Sequence, residues 1–166
     1  MDRSKSKFAS AAGGAAALAI GFLIAKEGIE YDSYVDVAGV KTICVGHTGP
    51  EVELGQKASQ QICEDLLSAD LDPVWAAEDK YIAHVEKLPA WTRAAVASFT
   101  FNVGVPTLKN SSVLRNLNLG KIAEACNALL LYTKARAAPQ GALVVVRGLV
   151  NRRVAERQLC LGEGWS

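Results

Sequence analysis

The sequence predicts a mixed α+β fold, mainly helical, with one small antiparallel sheet. Three observations carry this. Residues 31–36 and 40–45 are rich in β-branched and aromatic side chains and flank Ala38-Gly39, the signal of a short hairpin around a glycine turn. Segments near 59–71, 91–101, 122–132 and 148–161 read as helices, by apolar spacing or by small, closely packed side chains. Half of the 166 residues are hydrophobic, enough to bury a core and too many for a disordered chain.

At the N-terminus, Arg3, Lys5 and Lys7 precede an uncharged run over residues 8–25, the pattern of an export signal. The run is of marginal length for a membrane span. It is dominated by Ala and Gly, with larger side chains mainly at Leu18, Ile20, Phe22, Leu23 and Ile24. Apolar burial is worth ~25 cal/mol per Å², so methyl groups and bare backbone hold far less well than leucines. The segment should therefore insert into a bilayer but hold weakly. Three readings compete: a releasable anchor, a cleaved signal and a buried core helix. Leu23-Ile24-Ala25 is a poor cleavage site. Glu27 lies just beyond the run, where a bilayer-embedded segment would hold it at the headgroup boundary. That adjacency favours an anchor that keeps the chain inactive until it is released and refolds.

Glu27, Asp36 and Thr42 are the chemically suggestive residues. The hairpin should bring Asp36 and Thr42 to near-opposing positions, while Glu27 ends the preceding element. Two carboxylates from separate elements suit hydrolysis of a glycosidic bond. One must stay protonated to donate to the leaving oxygen, and the other must stay ionised to activate water or act as nucleophile. His47 follows closely and reads more readily as a structural histidine than as a base.

The formal net charge of +1 gives no electrostatic argument for nucleic acid. Cys44, Cys63, Cys126 and Cys160 contain no C-x2-C pair, which argues against structural zinc, and nothing in the chain calls for a cofactor. In an oxidising compartment they would form two disulfides, and Cys44–Cys63 with Cys126–Cys160 keeps each bridge within one lobe. Four buried thiols are the alternative. Cys44 and His47, three residues apart beside a strand, have poor geometry for a thiol nucleophile.

Ser59 should cap a helix reaching about Leu71, interrupted at Asp72-Pro73 because proline disfavours a helical residue before it. A second helix should run from 74 to about 87. Residues 91–101 read as a buried helix closed by Phe101-Asn102-Val103-Gly104, with Gly104 as a left-handed cap. Residues 122–132 form another helix, 144–146 are expected as loop or helix despite three valines, and a last helix ends near Leu161.

The pattern E-x8-D-x5-T followed by I-C-V-G-H resembles the catalytic signature of the phage lysozyme family, the endolysins of T-even and lambdoid phages. The resemblance implies a lysozyme-like two-lobed fold, with Glu27 as general acid, Asp36 as the catalytic carboxylate and Thr42 helping to hold the attacking water. The F-N-x-G block resembles the family's second block, implying that Phe101 and Asn102 border the sugar cleft. Gly148 to Arg153 resembles its terminal basic block, implying that Arg152 sits near Glu27. The family's W-x-Y-A-G-G-like stretch is missing; Leu131-Tyr132-Thr133-Lys134-Ala135-Arg136 stands there instead, which puts the sugar subsites of that lobe in doubt.

The N-terminal run resembles the signal-anchor-release endolysins, although residues 8–25 lack the cysteine that some of them use for activation. The resemblance thus implies an inverting muramidase of peptidoglycan, without cofactor or metal, acting as a monomer in host lysis. It would be held on the inner membrane by residues 1–26 and released to the periplasm. Residues 27–166 would be catalytic: a hairpin lobe (27–58), connecting helices (59–88) and a helical lobe (89–166). Two other readings stay open, a non-catalytic peptidoglycan-binding module and a hydrolase of chitin-type glycans.

Overall fold

The computed structural model describes residues 9–136 and 138–163; Arg3, Lys5 and Lys7 lie outside them. Helix α1 (Ala9–Glu27) takes up almost the whole apolar run. It stops where Gly28 adopts a φ of 76°, a conformation that costs glycine nothing, and donates its N–H to the Ile24 carbonyl at 2.9 Å. Strands β1 (Glu30–Val35), β2 (Lys41–Cys44) and β3 (His47–Thr48) follow as an antiparallel sheet in that order. Tyr34 pairs with Thr42, and Ile43 with His47. The β1–β2 turn is closed by Asp36, whose Oδ1 accepts the N–H groups of Ala38 and Val40, each at 2.8 Å.

Helix α2 (Gln60–Tyr81) starts at Ser59, whose Oγ accepts the Ile62 N–H at 3.3 Å. It runs unbroken through Pro73, correcting the expected interruption. A proline inside a helix forfeits one backbone hydrogen bond and crowds the preceding turn, at about 3 kcal/mol. Here its neighbours Leu71 and Val74 are both buried in the core, so side-chain packing outweighs the local penalty. The helical stretch expected to reach residue 87 stops at Tyr81, and only a 3-10 turn (Val85–Lys87) follows.

Helices α3 (Ala90–Val103), α4 (Val105–Lys109), α5 (Ser112–Asn118) and α6 (Ile122–Ala128) come next, with a 3-10 turn over Leu129–Leu131. A second hairpin then departs from expectation. Strand β4 (Lys134–Arg136) pairs with β5 (Leu143–Val145), so the valine run is a strand. Both strands are largely exposed. Their signal is β-branched residues beyond a Pro-Gln-Gly turn, which suits a hairpin better than the helix or loop expected. Helix α7 (Arg147–Cys160) closes the fold.

The main core gathers around α3, where Ala94 to Ala97 and Phe99 are fully buried. Helix α1 packs on α3 and buries Ala15, Ala19 and Leu23, four residues apart and thus on one helical face. A smaller cluster of Ile43, Cys44, Val52 and Cys63 lies under the sheet. Helix α2 spans both, with Cys63 in the small cluster and Leu67, Leu71 and Val74 in the large one. Cys44 bonds to Cys63 and Cys126 to Cys160, with Cα separations of 5.0 and 5.6 Å. The first bridge joins β2 to α2, and the second joins α6 to α7.

His47 ties the sheet to α2. It is almost buried, with Nδ1 at 2.8 Å from Asp70 and Nε2 at 2.7 Å from Glu51. Burial alone would lower its pKa, but the two carboxylates outweigh burial and raise it above the ordinary value of 6.5. A raised folded-state pKa stabilises the protein fully below the unfolded value, and the contribution is lost as pH rises through the folded value. His47→Gln should therefore lower the melting temperature most at about pH 6 and progressively less on the alkaline side, as calorimetry across that range would show. An equal loss at every pH would mean that the ring acts through packing alone. Leu23→Ala should cost roughly 2–5 kcal/mol in denaturant unfolding, because a fully buried leucine is removed from the α1–α3 contact. A loss below about 1 kcal/mol would show that α1 contributes little to the core.

Candidate active site

Glu27, the last residue of α1, stands where two cavities meet. One, of about 450 Å³, is lined by Glu27 with Lys26, Asn102, Leu149, Asn151 and Arg152. The other, of about 250 Å³, is lined by Glu27 with Glu30, Tyr34, Cys44, Phe101 and Asn102. Helices α1, α3 and α7 and the first hairpin thus all contribute to one cleft. The Glu27 side chain is 40% exposed, open enough to meet a polymer and shielded on its α7 side.

Arg152 Nη1 donates to Glu27 Oε1. The same guanidinium donates through Nε to Oε1 of Glu156 at 3.1 Å. Glu156 is fully buried and also accepts from Ser98 Oγ at 2.7 Å and from Arg153 Nη2 at 3.1 Å. Burial pushes its pKa up, while Arg153, Ser98 and Arg152 pull against that rise. Arg153, itself buried over the face of Phe99, extends Nη2 to Asn102 Oδ1 at 2.9 Å.

Four of the residues named from the sequence, Glu27, Phe101, Asn102 and Arg152, therefore share the cleft. Asp36 and Thr42 lie on the first hairpin, whose Tyr34 reaches the cleft; neither lines the two cavities themselves. Asp36 stands opposite Val40, with its N–H on the Val40 carbonyl at 2.9 Å, whereas Thr42 pairs with Tyr34. The two are offset along the hairpin instead of opposed, because Asp36 already belongs to the turn. Thr42 is buried and donates its hydroxyl to the Val40 carbonyl at 3.0 Å. His47 is taken up by Asp70 and Glu51, away from the Glu27 cavities. Cys44 lines the smaller cavity as half of a disulfide. Among the described residues no cluster of three or more His, Cys, Asp or Glu side chains could hold a metal ion.

Sequence reasoning overlooked Ser98 and Glu156 and gave Arg153 no role beyond the basic block. The signal was present: Arg152 and Arg153 precede Glu156 by four and three residues, so all three can meet on one side of a helix. It reads equally well as a solvated charged face, and only the burial of that side gives it meaning.

Comparison with known proteins places the fold in a family. The phage lysozyme family model matches residues 25–156. A SAR-endolysin of Bacteriophage PS119 is 38% identical over 135 residues, covering 81% of this chain and 76% of the relative. Among solved structures, a mutant of the phage P22 lysozyme aligns with a TM-score of 0.76 at 33% identity, covering 86% of this chain and 94% of that one. The active form of the P1 phage endolysin Lyz aligns with a TM-score of 0.73 at 25% identity, over 87% and 83% of the two chains. With its two-lobed cleft and the matching family model, the chain belongs to the phage lysozyme family.

Proposed function

We propose that the lysozyme activity of this chain, hydrolysis of the β-1,4 bond between N-acetylmuramic acid and N-acetylglucosamine of peptidoglycan, is carried by Glu27 as general acid with Asp36 and Thr42 holding the water. The observation behind this reading is the position of Glu27, at the junction of two cavities and facing Arg152 and Asn102. Glu27 gives its proton to the glycosidic oxygen as the C1–O bond breaks. Water adds to C1 and loses its proton to Asp36, so both carboxyl groups end with exchanged protonation. The two turn amides hold Asp36 through Oδ1 and leave Oδ2 as the oxygen for that proton. Thr42 spends its own hydrogen on Val40 and so offers lone pairs to the water. The inverting outcome follows from water attacking on the face opposite Glu27.

The last-turn position of Glu27 favours its neutral form, because the C-terminal end of α1 carries the negative end of the helix dipole. Arg152 acts in the opposite direction and orients the carboxyl. Phe101 and Asn102 form the wall against which a sugar ring would lie.

The same helix is proposed to have an earlier life in the inner membrane of the host, before release to the periplasm where the disulfides persist. The printed name of the PS119 relative, SAR-endolysin, supports this reading, as does the Ala/Gly-rich composition of α1. Among the described residues no helix is long and apolar enough to cross a membrane. Residues 1–26 would be that anchor and 27–166 the catalytic domain.

Two measurements test these readings. Glu27→Gln should reduce clearance of a peptidoglycan suspension by roughly 10²–10⁴-fold with an unchanged circular dichroism spectrum; a variant that still clears would move the acid elsewhere. Gly13→Leu with Gly21→Leu, where an added Cβ meets nothing within 4 Å, should leave the folded enzyme active in detergent yet keep more of it in the membrane fraction. Equal release of this double variant would remove the anchor from the mechanism.

A further inference from the structure

We infer that Glu156 is a positioning residue for the general acid: one buried carboxylate that aims Arg152 at Glu27 and Arg153 at Asn102, and offsets their positive charge at the cleft. The inference rests on the reading of Glu27 as the acid. Its basis is a chain of contacts through α7. Glu156 Oε1 receives Arg152 Nε at 3.1 Å, Arg153 Nη2 at 3.1 Å and Ser98 Oγ at 2.7 Å. Its Oε2 stands 2.9 Å from Arg153 Nε, in ion-pair range but without hydrogen-bond alignment. The far end of each guanidinium then reaches the cleft, Arg152 at Glu27 and Arg153 at Asn102.

The charge arithmetic explains why such a residue is needed. Arg152 and Arg153 are consecutive and largely withdrawn from water. Two guanidiniums in the interior need a counter-charge, since an unpaired buried ion is strongly unfavourable. Without Glu156, Glu27 would be the nearest carboxylate and would be held ionised, the wrong state for a proton donor. With Glu156 in place, two cations meet one fixed anion, and Glu27 can carry its proton without leaving both arginines uncompensated. The other charged groups facing Glu27 are Lys26 on its own helix and Glu30 on β1, while α3 offers only the neutral Asn102. Glu156 therefore tunes the acid without touching the substrate.

The test is the pH dependence of peptidoglycan clearance at low substrate, measured for the full chain, Glu156→Gln and Glu27→Gln. Glu156→Gln keeps the shape and Oε1 but removes the charge. The alkaline limb of its profile should move to lower pH by about one unit, a roughly tenfold loss on that limb, with much smaller loss at the acid side. A parallel loss at every pH, with the limb unmoved, would make Glu156 merely structural and overturn the inference. Should Glu156→Gln fail to fold, ¹³C-carboxyl NMR titration of the unaltered protein decides instead. Glu156 must stay ionised over the range in which Glu27 titrates, and a neutral Glu156 there overturns the inference. Ser98→Ala, which removes one hydrogen bond to Glu156, should shift the same limb in the same direction by less. Glu27→Gln separates the two levels of argument: if it remains active, the assignment of the acid fails, whereas a dead Glu27→Gln beside an unmoved Glu156→Gln limb sinks only the role of Glu156.

Discussion

The contact between α1 and α3 is the constraint on which the rest of this lysozyme depends. Helix α1 packs against α3, and its Ala15, Ala19 and Leu23 are fully buried. The same helix ends in Glu27, so packing of its middle fixes the position of its last residue. Core and cleft are thus one arrangement, because the helix that packs in the core also brings Glu27 to the two cavities. An Ala/Gly-rich helix suits this arrangement, because small side chains fit tightly against another helix.

Around that contact, charge is organised in layers. Arg152, Arg153 and Glu156 are placed by α7, which lies against α3 and is held to α6 by the Cys126–Cys160 bridge. On the opposite wall, the first hairpin is held by the Cys44–Cys63 bridge and by His47 between Asp70 and Glu51. Each wall of the cleft therefore has one covalent tie and one ionic tie, fully buried on the α7 side and partly buried on the hairpin side. Buried ion pairs are poor sources of net stability but strict about geometry, which is what a site for proton transfer requires.

Much of this was legible in the chain. The hairpin around Ala38-Gly39 was readable because β-branched and aromatic enrichment and a glycine turn are local properties. Glu27, Asp36 and Thr42 stood out by spacing, and Gly104 by its place after F-N-x. What failed was also local. Asp72-Pro73 signals a helix break, yet α2 continues because Leu71 and Val74 are buried on either side of the proline. Val144 to Val146 was misjudged because strand pairing with residues 134–136 is set by a turn whose effect appears only when both arms meet.

By itself the sequence determined the lysozyme family, the hairpin, the carboxylates that stand out and the Ala/Gly-rich make-up of the N-terminal run, because these rest on residue identity and short-range spacing. Tertiary structure alone decided which face of α1 is buried. That run is apolar all round, so no periodicity marks an inside. It also decided that Glu156 is an interior anion and that His47 lies between two carboxylates. Burial is a property of what packs on a residue from far along the chain, and desolvation turns an ordinary charged pair into a positioning device.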